Sequence, residues 1–371
     1  MSTNRLSQKE LNRALLERQM LLERSGLNPL DAIERLAGLQ SQAPMPPYYA
    51  LWSRLRDFKP EQLSELLLGR QVARIALMRS TIHLVSAHDC LLFRPVLQPV
   101  LERSLMGTYK RDLSGVDLEL LLAEARTRLA EQPQTFEELG KHLLAKWPAS
   151  SVNALSGAVR CLIPLVQLPP RGVWGQSGGA IHAPVDEWLG RPLVQADEQD
   201  LLELARRYLR VFGPASAKDM GVWSGLTKLG TVFARLRPEL RAYRDEAGQE
   251  LFDLADMPLP PGDAPAPARF LSEFDNMLLS FHDRSRIMAP EYKPLVFTIN
   301  GIIKSTFLVD GFVQGLWNIE TSKKSAVLRL RPFRSLAVRD RESLEEEGLR
   351  LLTFAEPGLD HSIVWEPAIG S

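Results

Sequence analysis

Cysteine is nearly absent from this chain. Cys90 and Cys161 are the only two among 371 residues, and both lie in apolar surroundings. So few and so distant, they give no disulfide framework and no thiol metal site; they read as buried thiols of a reducing compartment. Histidine is also scarce, at six residues, and no His-Glu-x-x-His or Cys/His spacing suits zinc. No phosphate-cradling glycine loop of the P-loop type occurs, nor a dinucleotide fingerprint, nor a Gly-x-Ser-x-Gly elbow. No apolar run is long enough to cross a bilayer, and the first residues lack a secretory apolar core. The expectation is a cytoplasmic protein with no membrane partner. Charge of one sign is not in excess either: Lys plus Arg is 45 and Asp plus Glu is 45. No overall basic bias announces nucleic acid, although a local patch remains compatible with that balance.

What is there is globular: 45% hydrophobic and 24% charged residues, enough chain for several domains. Ser7-Gln8-Lys9-Glu10 is a capping box that starts a helix to about Leu22. Asn28 and Pro29 start a second, with Leu30, Ile33, Leu36, Ala37 and Leu39 on one face. Pro44, Pro46 and Pro47 forbid its continuation, so it is expected to end between Gln40 and Ala43. Gln40 and Gln42 then stand at a broken helix end. Two readings are open there: amides that cap the last carbonyls, or amides offered to a ligand. Pro60 and Gly69 bracket a third helix, and Val72 to Val85 suits a strand pair.

Three helices followed by a β ribbon is the winged-helix plan. It recurs. Leu118 to Leu129, the capping box Thr135-Phe136-Glu137-Glu138 and Ser151 to Ile163 give helices. Leu165 to Leu168 and Val173 to Trp174 then read as strands about Pro169-Pro170-Arg171-Gly172. A third copy runs through Leu201 to Val211, the cap at Ser216, a candidate recognition helix at Leu226 to Arg237, and a hairpin of Leu240 to Tyr243 with Glu250 to Leu254. Met257 to Ala268 is a proline-dense linker. Beyond it Leu295 to Ile299, Ile302 to Val309 and Phe312 to Trp317, joined by Asn300-Gly301 and Asp310-Gly311, predict a meander. A strand at Ala326 to Leu330, a helix at Arg341 to Thr353 and an edge at Ile363 to Glu366 follow. The fold class is therefore α+β: winged-helix units over 1–95, 96–194 and 195–262, then a β-rich domain over 263–371.

Several polar groups are candidates for contact with nucleic acid. Arg79, Thr81 and His83 alternate along a strand and can meet phosphate and orient a water, or form a half-buried face with a satisfied histidine. His282-Asp283-Arg284-Ser285-Arg286 can clamp phosphate through Arg284 and Arg286, or be a solvated loop. Arg171 and Trp174 can stack on a base, or Trp174 can fold back on its own sheet. Lys228, Arg235, Arg237 and Arg244, on or after the third unit's recognition helix, are expected to hold phosphates. By residues alone this is a tandem winged-helix DNA binder without a catalytic acid, either a regulator or a damage sensor.

One further pattern changes that reading. Gly38-Leu39-Gln40-Ser41-Gln42, Tyr49-Ala50-Leu51-Trp52-Ser53-Arg54-Leu55, Arg79-Ser80-Thr81-Ile82-His83-Leu84-Val85 and Phe274-Asp275-Asn276-Met277-Leu278-Leu279-Ser280 occur in this order. Together with His282 to Arg286 they resemble the AlkZ-like, YcaQ-related winged-helix DNA glycosylases across most of the chain. The resemblance implies winged-helix units and a β-barrel-like C-terminal domain around a DNA channel. It implies a metal-independent, monofunctional enzyme without a cofactor, acting as a monomer on double-stranded DNA of the nucleoid. The implied reaction is hydrolysis of the N-glycosidic bond of N7-alkylated purines, or unhooking of alkyl interstrand crosslinks. The family's Gln, hydrophobe, Gln motif falls on Gln40 and Gln42 as the catalytic pair, with Ser41 in the place of the hydrophobe. A family member that keeps the fold and acts on another substrate is a further reading.

Overall fold

The computed structural model describes residues 5–369. Several of its helices start at the expected caps, whereas the candidate recognition helix starts later than expected, as Leu229–Leu236. Ser7, Thr135 and Ser216 each close a capping box with Glu10, Glu138 and Asp219, opening helices Gln8–Arg18, Phe136–Leu144 and Ala217–Ser224. Asn28 caps Pro29–Arg35 through its side chain. Helices Pro60–Leu68, Leu118–Glu131, Val152–Leu162, Glu198–Phe212 and Val338–Ala355 cover further expected segments.

The strands are arranged differently from separate wings. β1 (Leu39–Gln40), β2 (Val72–Ala76), β3 (Ile82–Ser86), β4 (Gln134–Thr135), β5 (Leu165–Gln167) and β6 (Ile181–Pro184) form one sheet in the order β1-β3-β2-β5-β6-β4. Every pairing in it is antiparallel. The ribbons of the first two units thus join edge to edge through β2 and β5, which satisfies two exposed strand edges at once. The return strand of the second unit is β6, not Val173 to Trp174. In the third unit β7 (Leu240–Arg244) and β8 (Glu250–Leu254) form the expected two-stranded hairpin.

The C-terminal part is an open sheet rather than a closed barrel. β9 (Arg269–Leu271), β10 (Thr306–Val309), β11 (Phe312–Thr321), β12 (Ser325–Pro332) and β13 (Asp360–Trp365) lie in the order β13-β12-β11-β10-β9, with β13 parallel to β12. The parallel edge follows from its connection, because Val338–Ala355 crosses over before the chain returns. Asp310 and Gly311 both have positive φ, 46° and 79°, as the tight β10–β11 turn requires. Leu295 to Ile299 is not a strand. Pro294 lies in the first turn of a short helix, Lys293–Val296, and only Phe297 bridges to Ile303.

Candidate active site

The second helix stops at Arg35, earlier than the prolines alone suggest. Gly38 N donates to Ile33 O at 3.0 Å and Ala37 N to Glu34 O at 3.0 Å, the paired bonds of a Schellman end. Ala37 has φ 53° and Gly38 φ 89°. A Cβ at residue 38 would stand 2.5 Å from Val85 Cγ1, so only glycine lets the chain turn against β3. The next two residues are therefore edge strand: Leu39 pairs with Leu84, and Gln40 with His83. Gln40 is thus on a sheet edge rather than at a helix end, and its amide is not a cap. Pro46 and Pro47 do not simply break a helix; they open a new one, Pro46–Arg54.

Each amide of the pair has a defined partner. Arg79 Nη2 donates to Gln40 Oε1 at 2.7 Å, and Ile82 N donates to Gln42 Oε1 at 3.2 Å. Gln40 is buried, whereas Gln42 is exposed. In this arrangement each carbonyl keeps a second lone pair and each NH2 remains available to donate. Between them Ser41 is fully buried and held by Arg74, whose Nε donates to Ser41 Oγ at 3.1 Å and Nη2 to Ser41 O at 2.9 Å. A serine in place of a hydrophobe therefore does not loosen this loop. Asn276 holds it from the other side: its Nδ2 donates to Gly38 O at 2.6 Å and its Oδ1 accepts from Gln40 N at 3.4 Å. Asn276 sits beside Asp275, which is buried against Arg54 at 2.8 Å.

Arg79, Thr81 and His83 do not share a strand face. Arg79 and Ser80 adopt left-handed φ of 55° and 60° in the turn between β2 and β3. Only His83 of the trio lies in a strand; Thr81 Oγ1 donates to Met78 O at 3.0 Å. His83 is buried, with Nδ1 3.0 Å from Thr81 O and Nε2 unpartnered. Burial, reinforced by Arg79, pushes the His83 imidazole down to about 3, so it stays neutral at physiological pH. Arg79 also donates to Trp223 O, which ties the turn to the third unit.

The other predicted residues are dispersed. Trp174 folds back, with its ring 4.9 Å from Tyr48 and 5.6 Å from Phe354, so it is not offered to a base. Arg171 is half-buried beside it and donates to Gly178 O at 3.0 Å. Arg286 points inward, to Pro214 O at 2.7 Å and over Phe281, so it is part of the interior and not of a phosphate clamp. His282 is exposed, and Arg284 is half-buried with Nε donating to Leu278 O at 2.6 Å. On the third unit, Lys228 and Arg244 are exposed, while Arg235 pairs with Glu198 and Arg237 with Glu250.

Sequence reasoning missed the charge pattern around the glutamines. Arg74, Arg79, Arg160, Arg171 and Arg284 form no ion pair among the described residues. Arg160 donates to Ser80 O, next to Arg79. Burial and Arg284 push Arg79 down to about 10, and burial and Arg171 push Arg74 down to about 10. These cations thus lie near a neutral pair of amides; Arg284 has two acids in its field, Asp219 and Asp283. Arg74 was hidden because, in an apolar strand, it reads as a break in the pattern. Among the described residues no cluster of three or more His, Cys, Asp or Glu could hold a metal ion, and no helix is long and apolar enough to cross a membrane.

Comparison with known proteins agrees with this frame. No curated protein sequence matches the chain. A solved structure, the Streptomyces sahachiroi DNA glycosylase AlkZ, superposes with a TM-score of 0.78 at 20% identity, covering 97% of this chain and 100% of that one. At that identity the likeness establishes the fold. The family model for AlkZ-like DNA glycosylases matches residues 33–354, from the helix before Gln40 to the end of the helix that precedes β13. The chain belongs to the AlkZ-like family of DNA glycosylases, enzymes of DNA repair.

Proposed function

We propose that this protein hydrolyses the N-glycosidic bond of N7-alkylated purines in duplex DNA, with Gln40 and Gln42 as the catalytic pair. The observation that carries the reading is the neutral pair of amides beside Arg74 and Arg79, guanidiniums that form no ion pair among the described residues. Alkylation at N7 places positive charge on the purine, so the base departs without a general acid. The protein then has two tasks: to hold the phosphates that flank the nucleotide, and to steady an oxocarbenium-like sugar while placing a water. The half-buried Arg160, Arg171 and Arg284, which form no ion pair among the described residues, suit the first task. The amides suit the second. Gln42 is the exposed member and the one we assign to the water, through its free lone pair. Gln40, fixed by Arg79, offers its NH2 toward the nucleotide. An amide is no base at neutral pH, so the substrate must bring its own leaving-group activation.

The helix and hairpin units read as winged helices that grip the backbone, with Lys228 and Arg244 among the phosphate contacts. A crosslinked base cannot be fully extruded, so a shallow site on a sheet edge also suits the unhooking of alkyl crosslinks. Hydrolysis by a held water requires no metal and no covalent enzyme intermediate, and a monomer suffices.

The test is base release from duplex carrying N7-methylguanine, read by alkaline cleavage of the abasic site. Wild type is expected to release the base, and Gln42→Leu, which keeps bulk and removes the dipole, to be slower by about 30-fold to 1,000-fold, as for loss of one preorganised polar group. Equal rates would make the glutamines structural and the protein a binder.

A further inference from the structure

A cavity of about 290 Å³ that shares no residue with the glutamine loop opens between the first helix and the third unit. Gln8 and Leu11 of helix Gln8–Arg18 form one side. The turn that carries Asp245, Glu246 and Ala247, with Leu251 of β8, forms the second. Asp283, Ser285 and Arg286 close the third, and Gln8 Nε2 donates to Ser285 O across the gap. A space of this size is near the lower end of the range that takes a small molecule.

The buried end is cationic and the mouth acidic. Arg286 is 6% exposed, and its Nη1 donates to Pro214 O at 2.7 Å. Its Nε and Nη2 have no hydrogen bond or ion pair among the described residues. Asp219, Asp283 and Asp245 act on Arg286 through their field, but their oxygens serve other groups. Asp219 accepts from Ser216 N at 2.9 Å, Ser216 Oγ at 2.7 Å and His282 N at 2.9 Å. Asp283 accepts from Ser285 N and Oγ, both at 2.9 Å, and Asp245 Oδ1 from Gln249 N at 2.8 Å. A buried guanidinium with its Nε and Nη2 edge free calls for a planar acceptor, and a carboxylate meets that edge with two parallel bonds. At the mouth the Glu246 carboxylate is exposed and has no partner among the described residues, and Asp245 keeps Oδ2 free. Arg286 is the one basic residue of the lining, against Asp219, Asp245, Glu246 and Asp283. Leu11 and Leu251, both buried, give the apolar wall between the two ends.

We propose that this cavity binds a free basic α-amino acid, arginine or lysine. The α-carboxylate sits on Nε and Nη2 of Arg286, the methylene stem runs along Leu11 and Leu251, and the cationic groups face Asp245 and Glu246. The excess of carboxylates decides for a basic amino acid over a neutral one. Arg286 decides for an amino acid over a polyamine, which leaves the buried donors unfilled. The same acidic mouth repels phosphate, so nucleic acid is not the ligand here. A molecule so held touches the first helix, the β7–β8 turn and the loop before Ile287 at once, and therefore stabilises the fold that brings them together.

The experiment is calorimetric titration of the full chain, at constant ionic strength, with L-arginine, L-lysine, L-argininamide, L-glutamate and spermidine, paired with thermal melting in each. Arginine and lysine are expected to bind and to raise the melting temperature. Argininamide, which lacks the carboxylate, is expected to bind at least tenfold more weakly, as are glutamate and spermidine. This comparison tests Arg286 without replacing a buried residue. Glu246→Gln is expected to weaken arginine about threefold to fivefold while the free protein melts as wild type does. Absence of binding by both basic amino acids would overturn the proposal. So would argininamide binding as tightly as arginine, which means that Arg286 receives no carboxylate, or spermidine doing so, which means a plain acidic patch. Equal affinity of Glu246→Gln and wild type for arginine would place the ligand elsewhere and overturn it too. Base release enters none of these readouts, so the result is independent of the glycosylase reading.

Discussion

Arg74→Met separates positioning of the glutamine loop from stability of the fold. Arg74 is 1% exposed, and among the described residues it has no carboxylate partner. Its contacts with the loop are the bonds to Ser41 Oγ at 3.1 Å and Ser41 O at 2.9 Å, while Nη1 is buried and unpartnered. Two charge-assisted bonds are worth about 1.5–3 kcal/mol each. Against them stands the desolvation of a buried cation, several kcal/mol, without an anion to offset it. These magnitudes nearly cancel. Methionine fills most of the same volume and buries no charge, so folding stability should change by no more than about 2 kcal/mol in either direction. The loop, however, loses the group that fixes Ser41 between the two glutamines. A displacement of about an ångström at a positioned group costs roughly a hundredfold in rate. The assay pairs thermal melting with single-turnover release of N7-methylguanine. The expected result is near-native melting with release lowered about 10-fold to 100-fold. A variant that melts like wild type and also cleaves within twofold of it would refute the idea that Arg74 holds the loop.

Further expectations concern the amides, the phosphate contacts and pH. Gln42→Asp should retain release or raise it, since a carboxylate stabilises developing positive charge better than an amide; a hundredfold loss in a folded variant would exclude a purely electrostatic role. Arg171→Ala and Lys228→Ala should weaken binding to all sequences and reduce the salt slope by about one each. Arg235→Ala should do less, because Arg235 already pairs with Glu198; an equal effect of all three on titrations at several salt concentrations would deny that difference. Gln40 and Gln42 do not titrate, and His83, held down to about 3, stays neutral, so single-turnover release should be flat from about pH 6 to 8. Stability behaves otherwise: burial lowers His83 to about 3 and His182 to about 4, from 6.5. The unfolded chain then binds protons that the folded one does not, and stability should fall as pH drops below about 6.5, continuing toward 3. Denaturant midpoints that do not move between pH 7 and 4.5 would contradict this.

The elements that sequence made legible are those whose cause is local. A capping box closes within three residues, so the starts at Ser7, Thr135 and Ser216 were readable. The Asp310-Gly311 turn and the β7–β8 hairpin were readable for the same reason. What escaped depends on distant pairing. β1 is two residues long and exists because Gln40 meets His83 across the sheet; in sequence it looks like the tail of a helix. The joining of two ribbons through β2 and β5 has no local signature. At Leu295 to Ile299 the β-branched pattern was overridden by Pro294, which fits the first turn of a helix and cannot donate to a sheet ladder. Of the candidate site, the family motif brought out Gln40 and Gln42. Arg74 and Arg160 were not legible, since their meaning lies in the carboxylates they lack.

That lack also resolves a tension in the chemistry. An oxocarbenium-like sugar is positive, and guanidiniums near it oppose its formation: two unit charges at 4 Å repel by about 4 kcal/mol at an effective dielectric of 20. On the proposed reading, Arg79 and its half-buried neighbours Arg160, Arg171 and Arg284 lack ion pairs in the free protein and would oppose the reaction. DNA changes the sum. Each phosphate seated on an arginine removes one positive charge from the field, and the backbone of the lesioned strand brings several. On the proposed reading, with phosphates bound, the exposed Gln42 can present its carbonyl to the positive sugar without contributing net charge, while the Gln40 carbonyl stays held by Arg79. The substrate thus completes its own site. The balanced composition of 45 basic and 45 acidic residues conceals this, because Arg235 and Arg237 are paired with acids of the third unit while Arg74 and Arg79, which bond to the glutamine loop, stand without ion pairs among the described residues. Binding strength should therefore come from a few local contacts rather than from overall charge, and catalysis should depend on the same contacts, since a nucleotide without its flanking phosphates leaves the repulsion in place.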